Sequence, residues 1–442
     1  MRHFRSAVFP LAPALALAWA LSGCGWFGDT KERFAGERIS VLLHQRVLTP
    51  DVEAGKAEIL LPEPTPNPEW PQSGGYANNA MHHMLVGENL RPVWKSSAGK
   101  GQTDYQRLSS SPIVADGRVY AMDSETRVSA FDAKTGSRVW RVDLTNKGED
   151  EGHVPGGLAY AQGRVFATTG FAQVVALEAA TGAEVWRQPV PGPMRAPPTV
   201  RAGTVYVVTV DNHVFALDAA SGSQIWTYAG IAESAAILGG AAPAVDGGVV
   251  VVPFSSGEIV ALRADTGRLL WSDSLASARR TDQVSTLSHI RGRPVIDRGR
   301  VFALSHGGIM VSIDLRTGRR VWERQIGGLE TPWIAGDFLF VVTTDAEIVA
   351  LGRNDGRILW VQSLPRWGNE AKKKNPITWT GPVLASDRLI VAGSHGQALT
   401  ISPYTGDILG FEPMPDGVSV PPVVADGSVY FLANDADIVA YR

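Results

Sequence analysis

Residues 130–140 read A-F-D-A-K-T-G-S-R-V-W, and this stretch decides the fold. Seven segments follow its pattern, A-x-D-x-x-T-G-x-x-x-W, with tolerated substitutions. The last of the seven has Gly410 where the others have tryptophan. From Trp94 to Gly410 the tryptophan position recurs about every 45 residues, a spacing typical of four-stranded propeller blades.

The residue types of this pattern suit a turn followed by a strand. Gly136 can take a positive φ in a tight hairpin, and Asp132 or Thr135 can bond to nearby backbone groups. Trp140 then lies on the next strand, where it can wedge between blades and bury about 150–250 Å². We therefore predict that the repeat tryptophans are inter-blade core; the alternative is a row of aromatics that lines a groove for sugars or quinones. The repeat tryptophans are Trp94, Trp140, Trp186, Trp226, Trp271, Trp322 and Trp360.

A second hairpin signal stands upstream of each repeat and completes a blade of four strands. Eight such hairpins begin near Pro112, Leu158, Pro198, Pro243, Pro294, Pro332, Pro382 and Pro422. The eighth unit stops at Arg442, where its tryptophan-bearing strand should begin, whereas residues 89–94 form a strand without a turn of its own. The sequence therefore predicts an all-β, eight-bladed propeller of antiparallel blades over residues 70–442. The strand around 89–94 closes the last blade, which removes an open edge.

The composition agrees with a protein built from strands and turns. The 442 residues include 47 glycines and 28 prolines, which lie between short runs rich in Val, Ile, Tyr and Phe. Without residues 1–23 the chain has 39 basic and 44 acidic residues, a net charge of −5. This balance does not favour binding to nucleic acid.

The N-terminus is typical of an exported lipoprotein. Residues 1–23 contain two arginines and an apolar stretch that is too short to span a bilayer, so they indicate a signal peptide. Cys24, the only cysteine, follows Leu21-Ser22-Gly23, which looks like a lipobox with cleavage before Cys24 and acylation of its thiol. An ordinary signal peptide with a chance cysteine is the alternative. Residues 24–69 contain no repeat and finish in alternate prolines, which predicts a lipidated N-terminus with a Pro-rich tether.

Taken together, the lipobox, the Pro-rich segment, Trp70-Pro71-Gln72 and the eight repeat units resemble the BamB family, the lipoproteins of the outer-membrane β-barrel assembly machinery. The resemblance covers nearly the whole mature chain. It implies a non-enzymatic scaffold without a cofactor, anchored by lipid at the periplasmic face of the outer membrane. It also implies binding to the periplasmic domains of BamA, with unfolded outer-membrane proteins as further candidate partners.

In that family the BamA-binding surface lies in two neighbouring inter-blade loops. Their counterparts here are residues 236–243, where Leu238 stands in place of a frequent Arg, and residues 287–294, where His289 and Arg291 occupy two acidic positions. The loop after the fourth blade is also unusually basic, which favours a recognition surface. Ordinary blade connections are the alternative. The candidate partner-binding residues are Ala235, Ile237, Leu238, Gly239, Arg279, Arg280, His289 and Arg291.

Two other functions remain open at this stage. A periplasmic quinoprotein dehydrogenase shares the repeat, but often has vicinal cysteines under its cofactor, and Cys24 is the only cysteine here. A polysaccharide-binding lipoprotein would expose aromatic residues outside the repeat, and Trp367 and Trp379 are the candidates. We predict no catalytic residues.

Two further motifs carry charge. His82-His83 has no partner at metal-ligand spacing, so we predict surface histidines and no metal site. Lys372–Lys374 is a solvated loop or a contact for an anionic partner.

Overall fold

The computed structural model describes residues 48–51, 58–146, 154–233, 239–276 and 289–442. Every regular element in these ranges is a β-strand. The strands form eight four-stranded antiparallel sheets and one two-stranded hairpin. The prediction of an eight-bladed β-propeller is confirmed. None of the described residues forms a helix long and apolar enough to cross a membrane.

The blades are numbered along the chain, and their strands are given from the innermost to the outermost. Blade 1 is Ile113–Ala115 (β2), Arg118–Met122 (β3), Arg127–Asp132 (β4) and Arg138–Asp143 (β5). Blade 2 is Gly157–Ala161 (β6), Arg164–Thr168 (β7), Gln173–Glu178 (β8) and Glu184–Pro189 (β9). Blade 3 is Thr199–Arg201 (β10), Thr204–Val208 (β11), His213–Asp218 (β12) and Gln224–Ala229 (β13). Blade 4 is Ala244–Asp246 (β14), Val249–Pro253 (β15), Glu258–Arg263 (β16) and Leu269–Ser274 (β17).

The other half of the ring follows the same plan. Blade 5 is Val295–Asp297 (β18), Arg300–Leu304 (β19), Met310–Asp314 (β20) and Arg320–Arg324 (β21). Blade 6 is Trp333–Ala335 (β22), Phe338–Val342 (β23), Glu347–Gly352 (β24) and Ile358–Ser363 (β25). The hairpin Trp367–Asn369 (β26) and Lys374–Pro376 (β27) precedes blade 7, which is Trp379–Ala385 (β28), Arg388–Gly393 (β29), Gln397–Ile401 (β30) and Ile408–Pro413 (β31). Blade 8 is Val423–Ala425 (β32), Ser428–Leu432 (β33), Asp437–Tyr441 (β34) and Pro92–Ser97 (β1).

In blades 1, 3 and 5 an aspartate side chain builds the turn before the outer strand. In blade 1 the Asp132 carboxylate accepts hydrogen bonds from the backbone N–H of Lys134 (3.0 Å) and Thr135 (2.8 Å), and from the Thr135 hydroxyl (3.0 Å). The bonds from Thr135 are the main cause of a lowered pKa of Asp132. Gly136 follows with a φ of +71°, a conformation that glycine adopts without strain. The turn is therefore fixed locally, before any contact with a neighbouring blade.

Each repeat tryptophan lies at a blade junction. The Trp140 indole N–H donates to the Ala179 carbonyl of blade 2 (2.9 Å), and its ring packs on Gly182, where an added Cβ would lie 2.7 Å from the ring. The same two contacts recur at seven junctions, with Nε1–O distances of 2.7–3.1 Å. The donors and acceptors are Trp94 and Ala133, Trp140 and Ala179, Trp186 and Ala219, Trp226 and Ala264, Trp271 and Leu315, Trp322 and Arg353, and Trp360 and Pro403.

The junction between blades 7 and 8 is built differently. Gly410 replaces the tryptophan on β31, and blade 8 has no turn glycine to receive one, because its outer strand comes from the other end of the chain. The closing strand is Pro92–Ser97, which begins three residues later than the predicted Asn89 and pairs antiparallel with β34. Both members of the Trp–Gly pair are thus missing at the junction between blades 7 and 8.

Residues 67–86 cross the propeller channel at the end where the first and second strands of each blade turn, and we call them the plug. The plug forms hydrogen bonds with the innermost strand of all eight blades. Five of these strands donate a backbone N–H to it, which satisfies polar groups on their inner edges. The donors and acceptors are Val114 N and Trp70 O, Tyr160 N and Pro71 O, Val200 N and Gln72 Oε1, Val245 N and Ala77 O, and Ile296 N and Asn78 O. The other three contacts join Trp333 Nε1 to His82 O, Leu384 O to Met84 N, and Val424 O to Asn67 Nδ2.

The tether prediction needs a correction at its C-terminal end. Residues 58–69 lie against the propeller, with Ile59 buried in the core and Thr65 hydrogen-bonded through its N–H to the His83 carbonyl (2.9 Å). The prediction that His82 and His83 are both surface histidines is also wrong. His83 is buried, its Nδ1 lies 2.7 Å from the Pro62 carbonyl, and its Nε2 accepts the Asp387 N–H at 2.9 Å. Proline spacing does not prevent a segment from docking when its carbonyl groups find donors.

Replacement Trp140→Ala tests the junction contact. It removes a buried indole and its hydrogen bond, so we expect a loss of about 3–5 kcal/mol in the free energy of unfolding. Chemical denaturation followed by tryptophan fluorescence and circular dichroism measures it. Trp367→Ala is the matched control, because that tryptophan is half-buried in the hairpin between blades 6 and 7. Equal stability of the two variants would contradict the role of Trp140.

Replacement Gly75→Val tests the plug. Gly75 has a φ of +88°, and an added Cβ would lie 2.1 Å from the Met81 sulfur, so valine should dislodge the plug. We expect hydrogen exchange at the amides of Val114, Val245 and Ile296 to become at least about tenfold faster, as measured by mass spectrometry. Gly87→Val is the control, because no atom lies within 4 Å of its added Cβ. Unchanged protection of these amides from hydrogen exchange in Gly75→Val would contradict the proposed hydrogen bonding by the plug.

Candidate partner-binding surface

The connections between successive blades lie at the end of the ring opposite the plug, and two of them meet there. An added Cβ at Gly239, in the connection between blades 3 and 4, would lie 3.1 Å from Nε of Arg291 in the connection between blades 4 and 5. The fold therefore brings the described parts of the two predicted loops into contact. Arg291 is half-buried, with its guanidinium passing over a glycine that leaves room for it.

Two further residues that sequence reasoning missed lie in the connections between blades. Ile231 begins the connection between blades 3 and 4 and is exposed, although its backbone is held by the Asn212 amide (2.6 Å to the Ile231 carbonyl) and the Glu258 carboxylate (3.2 Å from its N–H). Arg195 is half-buried in the connection between blades 2 and 3. An isolated isoleucine at a strand end gave no signal in the sequence. We call Arg195, Ile231, Gly239 and Arg291 the connection surface.

A small pocket lies under the connection surface. Its volume is about 40 Å³, and its lining includes Arg195, Asn212, Gly240 and His289. This is room for a few water molecules only, far below the several hundred Å³ of a typical ligand site. A protein partner therefore fits this surface better than a small molecule does.

Two residues of the predicted basic loop are not on the surface. His289 is buried, and its backbone carbonyl accepts the His306 N–H (3.0 Å), so it supports the connection and does not face a partner. Arg293 points toward the plug and donates to the Ser73 hydroxyl (2.8 Å). Burial lowers the pKa of Arg293 to about 10, and the Glu330 carboxylate acts in the opposite direction. Of the described arginines in this loop, only Arg291 belongs to the connection surface.

The remaining predicted site residues lie outside the described residues. These are Cys24 at the predicted lipidation site, Ala235, Ile237 and Leu238 in the first loop, and Arg279 and Arg280 in the second. They flank positions that the structure does place. Gly239 immediately follows residues 234–238, and His289 immediately follows residues 277–288.

The other charged and aromatic motifs occupy structural positions. Within the described ranges no group of three or more His, Cys, Asp or Glu residues could hold a metal ion. His82 faces the buried Asp297 at 3.4 Å, and Arg353 contacts the same carboxylate at 2.8 Å. Burial is the largest cause of the lowered pKa of His82, and Asp297 opposes it. This cluster fastens the plug to the turns of blades 5 and 6.

The long connection before blade 7 is also ordered. Lys372–Lys374 are exposed at the end of the β26–β27 hairpin. Trp379 is buried, donates to the Pro365 carbonyl (2.9 Å) and packs edge-on against His395 (5.2 Å between ring centres). Trp379 is therefore unavailable as an exposed carbohydrate platform, and Trp367 is half-buried. Of the two aromatic residues proposed for polysaccharide binding, Trp379 is therefore excluded.

The sequence of this chain is similar to those of known proteins. A family profile described as outer membrane protein assembly factor BamB matches residues 88–154 and 124–362, more than half of the chain. Outer membrane protein assembly factor BamB of Alkalilimnicola ehrlichii is 35% identical over 351 residues, which cover 79% of this chain and 88% of that protein. The chain belongs to the BamB family. The resemblance found in the sequence is confirmed.

Solved structures agree with the BamB fold. The crystal structure of BamB from Moraxella catarrhalis superposes with a TM-score of 0.68 at 22% identity, covering 80% of this chain and all of that one. Quinohemoprotein alcohol dehydrogenase from Comamonas testosteroni superposes with a TM-score of 0.65 at 16% identity, covering 85% and 80%. At these identities the likeness concerns the propeller alone, and a shared fold does not carry a shared activity.

Proposed function

We propose that this BamB-family chain is a non-enzymatic scaffold that binds the periplasmic domains of BamA through the connection surface and assists the assembly of outer-membrane proteins. The observation that carries the proposal is the meeting of Gly239 and Arg291, which joins the two loops that the family resemblance assigns to the partner. Family membership supports a role in outer-membrane protein assembly.

The connection surface has the character of a protein interface. Ile231 offers an exposed apolar side chain on a backbone fixed from both sides, so little conformational freedom is lost on binding. Arg195 and Arg291 add positive charge to the connection surface, which suits an acidic partner patch and speeds encounter. Arginine is also enriched in interface hot spots.

A lipid anchor at Cys24 would complete this mechanism. Acylation would hold the propeller near the membrane at the periplasmic face, and the high local concentration would strengthen a modest interaction with a membrane-embedded partner. The plug supports a scaffold role as well, because it forms hydrogen bonds with the innermost strands of all eight blades, which carry the connections.

Charge reversal at Arg291 tests the partner surface. Arg291→Glu should weaken binding to the purified periplasmic domains of BamA by about tenfold or more, because it places a carboxylate against the acidic patch expected on the partner. Leu238→Asp should act in the same direction. Surface plasmon resonance with the immobilised BamA domains measures both.

Arg201→Glu is the matched control for this experiment. Arg201 is an exposed arginine at the turn between β10 and β11, at the plug end of blade 3. It should bind BamA like the wild type. If the wild type fails to bind, BamA is the wrong partner. If Arg291→Glu and Leu238→Asp bind normally, the assignment of BamA binding to the connection surface is wrong.

Replacement Cys24→Ser tests the anchor. Without the thiol no acyl chain can be attached, so the protein should move from the outer-membrane fraction to the soluble periplasmic fraction and lose labelling by radioactive palmitate. A Ser22→Ala variant keeps the cysteine and should remain in the membrane. Membrane retention of unlabelled Cys24→Ser would show that another feature holds the protein there.

A further inference from the structure

The outer strand of blade 7, β31, differs from the other outer strands in its side chains. On six blades the residue after the repeat tryptophan is polar: Lys95, Arg141, Arg187, Thr227, Ser272 and Glu323. On β31 that position is Phe411, which is 70% exposed. Leu409, before Gly410, is 57% exposed, compared with 40–48% for its apolar counterparts Val139, Val185, Ile225, Leu270 and Val321. Polar residues on edge strands normally oppose pairing with other chains, and at the position of Phe411 β31 has an apolar residue instead.

The second face of β31 is also open. Among the described residues only the Thr400 hydroxyl, at 3.4 Å, lies within 4 Å of a Cβ added at Gly410. At the other junctions a tryptophan occupies this space. An extended segment could therefore approach the strand without displacing a core side chain.

Blade 6 shows what kind of chain can lie on such an edge. The Asp51 N–H donates to the Ile358 carbonyl (2.9 Å), and the Asp51 carboxylate accepts the Ile358 N–H (2.9 Å). Ile358 and Leu359 are only 9% and 8% exposed there. The matching pair on β31, Ile408 and Leu409, is 45% and 57% exposed.

The charges on and beside β31 indicate which kind of segment would bind there. Residues 407–416 contain Asp407, Glu412 and Asp416 and no basic residue. Two copies of this acidic edge would repel each other, whereas a segment with lysine or arginine at its ends would be attracted. Leu409 and Phe411 lie on one face of the strand, since alternate residues share a face. They would pack against apolar residues at alternate positions of the incoming segment.

We propose that β31 is a docking edge for an extended polypeptide with alternating apolar residues and basic flanks, which binds by strand addition. The recognition has two parts. Backbone groups of the edge supply hydrogen bonds that do not depend on sequence, and Leu409 and Phe411 select apolar side chains. This edge is separate from the connection surface, so the two can be tested independently.

A labelled synthetic peptide tests the docking edge. The probe is a short peptide of alternating valine and threonine with two lysines at each end, followed by fluorescence anisotropy on the full chain. We expect wild-type protein to bind it and Phe411→Arg to bind at least about tenfold more weakly. Two control peptides should bind the wild-type protein as weakly as the probe binds Phe411→Arg. One has glutamates at its ends, and the other has central prolines, which cannot donate a backbone hydrogen bond.

Ser272→Arg is the matched control, because Ser272 holds the same position on β17 beside an intact Trp271. It should bind the peptide like the wild type. Absence of wild-type binding up to about 1 mM, or equal binding by Phe411→Arg, overturns the proposal. Self-association of the wild type that Phe411→Arg abolishes in sedimentation would make a second copy the occupant and also overturn it. Binding of Phe411→Arg to BamA should stay normal, which separates this result from failure of the proposed function.

Discussion

The contact on which the ring depends is an indole packed on a glycine of the next blade. The glycine is needed twice, once for the positive φ of its own turn and once because any Cβ would enter the neighbouring tryptophan ring. The indole N–H then donates to a carbonyl of the same turn, which fixes how the ring is oriented. Because both partners are rigid, seven repetitions of one contact set a constant relation between successive blades.

The junction between blades 7 and 8 lacks this contact, because Gly410 replaces the tryptophan and blade 8, made from both ends of the chain, has no turn glycine. The chain solves the problem with its N-terminal segment, which supplies the outer strand β1 and, just before it, the plug. The plug reaches Val424 of blade 8 through Asn67 and Leu384 of blade 7 through Met84, so it spans the junction that lacks a tryptophan. Strand pairing at the rim and hydrogen bonds at the centre together replace the missing indole.

The repeat could be predicted from sequence because its causes are local. Asp132, Thr135 and Gly136 build their turn from neighbouring residues, and the period reports the blade count. The plug could not be predicted, because its contacts join residues hundreds of positions apart through backbone groups, as with Asn67 and Val424. For the same reason the alternate prolines predict a tether, although residues 58–69 dock on the propeller. Arg293 and Arg291 look alike in sequence, and only the fold shows that one turns to Ser73 and the other to Gly239.

The two ends of the propeller consequently carry different constraints. At the plug end each blade presents a hydrogen-bonding group to one crossing segment, so the turns there are held to a fixed geometry. At the opposite end a connection only has to span the distance from one outer strand to the next inner strand, and its length and charge can vary. Arg291 shows the consequence: it lies where the family pattern has an acidic residue, yet its side chain needs only the space over Gly239 and leaves the ring untouched. The charge of the connections can therefore change while the fold stays the same, so the repeat pattern carries no information about the proposed partner surface.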